Sequence, residues 1–205
     1  MSKKRVAVLI SGRGSNMTAL IEAAKADDYP VEIALVVSNR PEAPGLARAR
    51  REGIATAIVD HQEFGEDREG FEHALDDALH KHRIDFVCLA GFMRLLSPWF
   101  VQRWSGKMLN IHPALLPQFK GLHTHRRALQ AGVNRHGATV HFVVPEMDAG
   151  PIVEQESLAV RQDDTEETLA ARVLEIEHRI YPRALRALAE GRASIASSGE
   201  DGNTH

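Results

Sequence analysis

The chain has 205 residues, 43% of them hydrophobic and 26% charged, with a formal net charge of −3. This balance is typical of a globular protein with one substantial core. It excludes a basic nucleic-acid arm, and no apolar run reaches the roughly 20 residues that span a membrane. The single cysteine, Cys88, lies in an apolar run, so we expect a buried free thiol and a cytoplasmic protein.

Short apolar runs alternate with helical patterns in the first two thirds of the chain. We predict strands at residues 5–10, 31–37, 55–59, 85–90 and 109–112. The helices between them are predicted at about 16–26, 44–51, 67–82 and 97–104. Two strands then follow at 138–144 and 152–160, expected to pair as a hairpin, before a long helix at about 165–190.

This βαβ succession predicts an α/β fold: a doubly wound, mostly parallel, Rossmann-like sheet with a C-terminal antiparallel hairpin and a long helix. No linker or repeat interrupts the pattern. We therefore expect a single domain over residues 1–191, with an N-terminal lobe over about 1–105 and a C-terminal lobe over about 106–191. Residues 192–205 are expected to form a flexible tail.

The stretch 108–117 is the most informative in the chain. Asn110 and His112 stand two positions apart in a predicted strand, so both side chains project from the same face. Pro113 then ends the strand. An amide donor beside an imidazole can stabilise an oxyanion and move a proton. The alternative is a strand end whose polar side chains are merely solvated.

The loop from Ser11 to Asn16 joins the first predicted strand to the first helix. Its glycines and the free N–H groups of the helix start favour an anion on Gly14, Ser15 and Asn16. Met17 occupies the position of the third glycine in the dinucleotide fingerprint G-x-G-x-x-G, and no Lys-Ser/Thr pair follows, so a monophosphate is favoured over NAD or ATP. The alternative is a plain turn in which Ser15 or Asn16 caps the helix.

Asp148 lies in the turn-rich loop between the two late strands. Its carboxylate either orients a histidine and accepts a proton, or bonds its own backbone in a β-turn. His141 either lines the cleft or faces solvent. A metal site at His123, His125 and Asp148 is the further possibility, but the HExxH spacing and cysteine pairs are absent, so we expect no metal.

Four motifs, in this order, resemble the folate-dependent phosphoribosylglycinamide formyltransferases. They are Ser11-Gly-Arg-Gly-Ser-Asn16, Leu89-Ala-Gly-Phe-Met-Arg94, Asn110-Ile-His-Pro-Ala-Leu-Leu-Pro117 and Asp148-Ala-Gly-Pro151. The likeness extends from about Arg5 to about Gly191. It implies formyl transfer from the co-substrate 10-formyltetrahydrofolate to the amine of glycinamide ribonucleotide in purine biosynthesis, without metal or ATP. The expected assembly is a monomer or weak homodimer.

The same resemblance implies a role for each matching residue. The catalytic residues would be Asn110, His112 and Asp148. The ribonucleotide and its phosphate would be held by Gly14, Ser15, Asn16 and Glu177. The folate would be held by Arg68, Met93, Arg94, Leu95, Leu96, Asn110, Val143 and Met147. Arg68 and Arg94 would bind a phosphate or the folate carboxylate, unless they are surface cations.

The resemblance also concerns the backbone after the predicted fifth strand and two departures from the family pattern. The Leu116–Pro117 bond is expected to be cis. Arg13 and Leu174 depart from the usual pattern, each at one contact.

Methionyl-tRNA formyltransferase and formyltetrahydrofolate deformylase share the Asn-x-His…Asp core, but both carry further domains, so the length of the chain favours the glycinamide enzyme. A non-catalytic phosphosugar-binding protein is the alternative from a different class.

Overall fold

The computed structural model of the protein describes residues 3–195. The strands are β1 (Lys4–Ile10), β2 (Val31–Ser38), β3 (Ala55–Ile58), β4 (Phe86–Leu89), β5 (Met108–His112), β6 (Arg135–Phe142) and β7 (Ile152–Ala159). The helices are α1 (Ser15–Ala24), α2 (Pro44–Arg51), α3 (His61–Phe64), α4 (Arg68–Lys81), α5 (Pro98–Arg103), α6 (Thr124–Gln130) and α7 (Glu166–Ala189).

The strands form one seven-stranded sheet in the order β3-β2-β1-β4-β5-β6-β7. Strands β1 to β5 are parallel, whereas β6 pairs antiparallel with both β5 and β7. The predicted fold class, including the C-terminal hairpin, is therefore confirmed. Because the strand order reverses between β1 and β4, a crevice is expected outside the carboxyl ends of these strands.

Both faces of the sheet are covered, which explains the unbroken apolar run of β1. Val6 and Val8 pack on the face covered by α1 and α7, whereas Ala7 and Leu9 pack on the face covered by α4 and α5. Alternate residues of a strand point to opposite faces, so neither face of this strand tolerates polar side chains. Cys88 is a fully buried free thiol in the same layer, and burial raises its pKa to about 12.

Two helices are absent from the sequence-based prediction. Helix α3 is a single turn capped by Asp60, and α6 buries only Thr124 and Ala128. Neither has enough buried apolar positions to produce a helical periodicity. The other predicted elements agree with the structure, apart from shifts of their ends, the largest at the start of β6. That strand begins at Arg135, where the polar end of the hairpin continues to pair with β7.

Two further features are a cis peptide bond after β5 and the C-terminal end of the described residues. The Leu116–Pro117 bond is cis, as expected. Of the predicted tail, residues 196–205 lie outside the described part of the chain. Before that point, the Ala193 amide donates to the Ala187 carbonyl and Ile195 packs on the core. Within residues 3–195, no helix is both long and apolar enough to cross a membrane.

Candidate active site

A cleft of about 930 Å³ opens at the carboxyl ends of β4 and β5. Its lining includes the predicted catalytic residues Asn110, His112 and Asp148, and, from the predicted ribonucleotide set, Asn16 and Glu177. The lining also includes the predicted folate contacts Met93, Arg94, Leu95, Leu96, Val143 and Met147. Of the remaining predicted residues, Gly14, Ser15 and Arg68 do not line this cleft.

Strand β5 and the β6–β7 loop bring the three predicted catalytic side chains together. Asn110 and His112 share one face of β5, as their spacing predicts, and His112 is 5% exposed. The Oδ2 atom of Asp148 lies 3.5 Å from Nδ1 of His112. This separation exceeds a good hydrogen bond, so the Nδ1 position of His112 is not committed to Asp148.

The hydrogen bonds of His112 decide which of its nitrogens exchanges a proton. Its Nε2 atom lies 2.9 Å from the carbonyl oxygen of Phe119. A carbonyl oxygen can only accept, so Nε2 carries a proton in both charge states of the ring. The proton that the ring gains and loses is therefore on Nδ1, the nitrogen that faces Asp148.

Asp148 is held by a residue far from it in the chain. Its Oδ2 atom accepts a hydrogen bond of 2.8 Å from the amide of Gly121. The backbone of Asp148 has φ 49°, a left-handed conformation that aspartate adopts more readily than most residues. The alternative in which Asp148 bonds its own turn is thus wrong: the carboxylate points across the cleft.

His141 is a component of the site to which the sequence assigns no role. It lies opposite Asn110 in the β5–β6 ladder and is 3% exposed, so the solvent-facing alternative is wrong. Its Nδ1 donates to the Phe142 carbonyl, which leaves Nε2 to accept from Asn110 Nδ2 at 3.2 Å. Burial lowers the pKa of His141, which favours this neutral form. Asp148 Oδ1 is 3.6 Å from the same Nε2.

The loop from Ser11 to Asn16, named the phosphate-like loop because it resembles loops that bind phosphate, leads into the first turn of α1. No side chain caps that turn. Gly14 is the N-cap of α1, with φ 69° and ψ 43°, and no side chain accepts from the first turn. The alternative in which Ser15 or Asn16 caps the helix is therefore wrong. The first-turn N–H groups of a helix have no acceptor within the helix, and here they stay available to an anion.

The side chain of Asn16 is hydrogen-bonded to a residue of α7. It is buried, and its Nδ2 donates to Oε2 of Glu177 at 2.6 Å. Burial raises the pKa of Glu177, and the hydrogen bond from Asn16 opposes that rise. The Oδ1 atom of Asn16 is buried with no partner in the described part of the chain. The Oδ1 atom of Asn16 is therefore an unused hydrogen-bond acceptor at one end of the cleft.

One wall of the cleft, residues 91–96, is held at both of its ends. At the first end the Ser11 hydroxyl accepts from the Met93 amide at 2.8 Å. At the other end Glu72 accepts from both the amide and the hydroxyl of Ser97. Arg68 contributes here, because its Nη2 donates to the Leu95 carbonyl at 2.5 Å. Its contact in the structure is therefore with the wall.

The remaining predicted contacts are side chains around the cleft mouth. Met93 and Leu95 are each 67% exposed, and Met147 is 52% exposed. The guanidinium of Arg94 lies 5.9 Å from the centroid of the Phe71 ring. Within residues 3–195, no group of three or more His, Cys, Asp or Glu residues has a geometry that could hold a metal ion.

The site combines an Asn-x-His strand end, a facing aspartate and a phosphate-like loop on a doubly wound sheet. Comparison with known proteins shows which class of protein has this combination. The family model described as Formyl transferase matches residues 4–185, so the chain belongs to the formyl transferase family. The resemblance seen in the motifs is confirmed.

Three relatives make the similarity specific. The chain is 46% identical to phosphoribosylglycinamide formyltransferase of Escherichia coli, over 93% of this chain and 89% of that protein. The crystal structure of phosphoribosylglycinamide formyltransferase from Brucella melitensis superposes with a TM-score of 0.88 at 49% identity, covering 97% of this chain and 100% of that one. The chain is also 49% identical to the trifunctional purine biosynthetic protein adenosine-3 of Gallus gallus over 97% of its residues, but spans only 20% of that protein.

Proposed function

We propose that the protein transfers the formyl group of 10-formyltetrahydrofolate to the amine of glycinamide ribonucleotide. The products are N-formylglycinamide ribonucleotide and tetrahydrofolate, in purine biosynthesis. The observation that carries the proposal is the convergence of Asn110, His112 and Asp148 in one cleft between a phosphate-like loop and a wall of backbone groups. The relatives in Escherichia coli and Brucella melitensis bear the name of this reaction.

The chemistry requires stabilisation of an oxyanion. When the substrate amine attacks the formyl carbon, negative charge develops on the carbonyl oxygen. One N–H of the Asn110 amide is engaged by His141, and the other is free to donate to that oxygen. His112, protonated on Nδ1, supplies the second donor. Asp148, whose Oδ2 faces Nδ1 of His112 at 3.5 Å, would help to remove the proton from the attacking amine, directly or through water.

The two ends of the cleft suit the two substrates. The uncapped first turn of α1, at Gly14, Ser15 and Asn16, would take the phosphate of the ribonucleotide through backbone amides. Glu177, with the spare acceptor of Asn16 beside it, would accept hydrogen bonds from the ribonucleotide. The wall at 93–96 and the loop at 143–147 offer peptide N–H and C=O groups to the pterin edge.

Arg68 and Arg94 are the two candidates to bind a carboxylate of the folate. Arg94 lines the cleft and is the better placed of the two to meet a carboxylate of the folate. Arg68 would act on the folate through Leu95, unless it releases that carbonyl on binding. We further expect a cytoplasmic protein that is a monomer or weak homodimer, with no metal or ATP requirement.

The test is a transfer assay with purified protein, glycinamide ribonucleotide and 10-formyltetrahydrofolate, without ATP and with a chelator present. Formylated ribonucleotide is the expected product. Formate without formylated ribonucleotide would instead indicate a hydrolase. Binding of the ribonucleotide by calorimetry with neither product would indicate a non-catalytic binding protein and would overturn the proposal.

A further inference from the structure

A single backbone segment, residues 119–122, contacts both His112 and Asp148. The Phe119 carbonyl accepts from Nε2 of His112 at 2.9 Å. The Gly121 amide donates to Oδ2 of Asp148 at 2.8 Å. The segment therefore fixes which nitrogen of His112 exchanges a proton, and it also satisfies one oxygen of the facing carboxylate. Any displacement of this segment would disturb both residues at once.

The segment has little regular structure of its own to hold it in place. It lies between the end of β5 and the start of α6, in a stretch without helix or strand. Phe119 has φ 53°, in the left-handed region that costs a bulky residue free energy. Such a backbone persists only where surrounding contacts impose it.

Arg127, in α6, makes contacts of that kind. Its Nη1 donates to the carbonyl oxygens of Lys120, at 2.6 Å, and of Leu122, at 3.4 Å. Its guanidinium carbon lies 5.6 Å from the centroid of the Phe119 ring. The flat guanidinium thus contacts three residues of the segment, a combination that a point charge cannot reproduce. Arg127 itself is exposed and is not part of the cleft lining.

We propose that Arg127 is a positioning residue for the chemical step. By holding the 119–122 backbone, it keeps an acceptor on His112 Nε2 and a donor on Asp148. The groups proposed to bind the ribonucleotide and the folate lie outside this segment, so loss of Arg127 should lower turnover while substrate affinity is retained. This inference rests on the proposed function, since the reaction that it serves is the formyl transfer described above.

The neighbouring residue provides a matched control. Arg126 is also an exposed arginine of α6, but its Nε donates to Glu166 of α7 at 2.9 Å, away from the segment. R126Q and R127Q therefore remove the same chemical group from adjacent positions. R127K retains a cation that donates to a carbonyl but lacks the guanidinium that contacts the backbone carbonyls and the Phe119 ring together.

The first readout is kinetic. We expect R127Q to lower kcat about tenfold, with KM for both substrates within about twofold and an unchanged melting temperature. R127K should recover part of the loss, and R126Q should match the wild type. An R127Q enzyme with wild-type kcat, or a loss equal to that of R126Q, would overturn the proposal.

The second readout does not depend on turnover. Long-range ¹H–¹⁵N spectra of the histidine rings report the tautomer of His112, with H112Q used to assign its signals. The wild-type ring should be protonated on Nε2 when neutral, and R127Q should give a mixture of tautomers. An unchanged tautomer in R127Q would overturn the positioning role. An inactive wild type with the expected spectra would overturn the proposed reaction alone.

Discussion

The Nδ1 atom of His112 faces Oδ2 of Asp148 across 3.5 Å, although the two residues belong to different parts of the chain. His112 is the last residue of β5. Antiparallel β6 runs from Thr139, opposite His112, to Phe142, opposite Leu109, and the loop after β6 then folds back to bring Asp148 to His112. Neither side chain is more than 10% exposed. The pair is therefore placed by the β5–β6–β7 topology.

The first prediction concerns the charge of Asp148. In D148N the amide oxygen can still accept from the Gly121 amide, so the loop keeps its contact while the negative charge is lost. We expect turnover to fall by about 10²–10⁴-fold, the usual range for a group that assists proton transfer. Steady-state formyl transfer measures the effect, and circular dichroism checks the fold. Wild-type rates in a folded D148N protein would sink the mechanism.

The second prediction concerns His141. Its neutral Nε2 accepts from the Asn110 amide and so fixes the direction of the second N–H of that amide. In H141F this acceptor is lost, and we expect kcat to fall about tenfold because the oxyanion donor is no longer oriented. H141Q, which carries an acceptor oxygen, should recover part of the rate. Equal rates in H141F and the wild type would show that Asn110 needs no such support.

The residues around Asp148 and His141 show which features of the site can be predicted from the sequence. The spacing of Asn110 and His112 follows from the period of a strand, and so their shared face is predictable. The partnership of Asn110 with His141 depends on the register of β5 against β6, which no local pattern encodes. Asp148 is identified by its motif, but its direction depends on a hydrogen bond to Gly121.

The same limit applies to the binding residues. The resemblance makes Arg68 a candidate to bind a phosphate or the folate carboxylate. In the structure its side chain donates to the Leu95 carbonyl, a contact between segments far apart in the chain. Asn16 likewise donates a hydrogen bond to Glu177 of α7, a residue far from it in the chain. Local sequence identifies such polar residues but does not select their partners.

The third prediction concerns the wall of the folate end. Glu72 is 1% exposed and accepts from Ser97 at the start of α5, immediately after the wall. In E72Q one acceptor of this buried cluster is replaced by a donor, which costs about 1–3 kcal/mol of unfolding free energy. We also expect a higher KM for the folate and an unchanged KM for the ribonucleotide.

Asp76 provides the control for Glu72. It lies one turn further along α4 and bonds Nε1 of Trp104 at 2.9 Å, with no contact to the wall. D76N should lose stability, measured by urea unfolding, without a specific rise in the KM for folate. If both variants raise that KM equally, the wall is not set by Glu72.

The fourth prediction concerns the pH dependence of stability. His136 is fully buried in β6, with Nε2 3.2 Å from Nδ1 of His125. Burial, followed by the proximity of His125 and His112, lowers the pKa of His136 to about 4. In the unfolded chain a histidine titrates near 6.5. Between these values the unfolded state binds more protons, so stability is complete above about pH 6.5 and is lost as the pH falls towards 4.

The expected loss from His136 has an upper limit of about 3 kcal/mol at the low end of this range. H136F removes the titrating group and retains an apolar ring in the core. The difference in unfolding free energy between pH 7.5 and pH 5, measured with urea, should therefore be smaller in H136F than in the wild type. Burial also lowers the pKa of His125, His141 and His178, so a residual pH dependence is expected. A difference in H136F as large as that of the wild type would show that His136 is readily protonated in the folded protein.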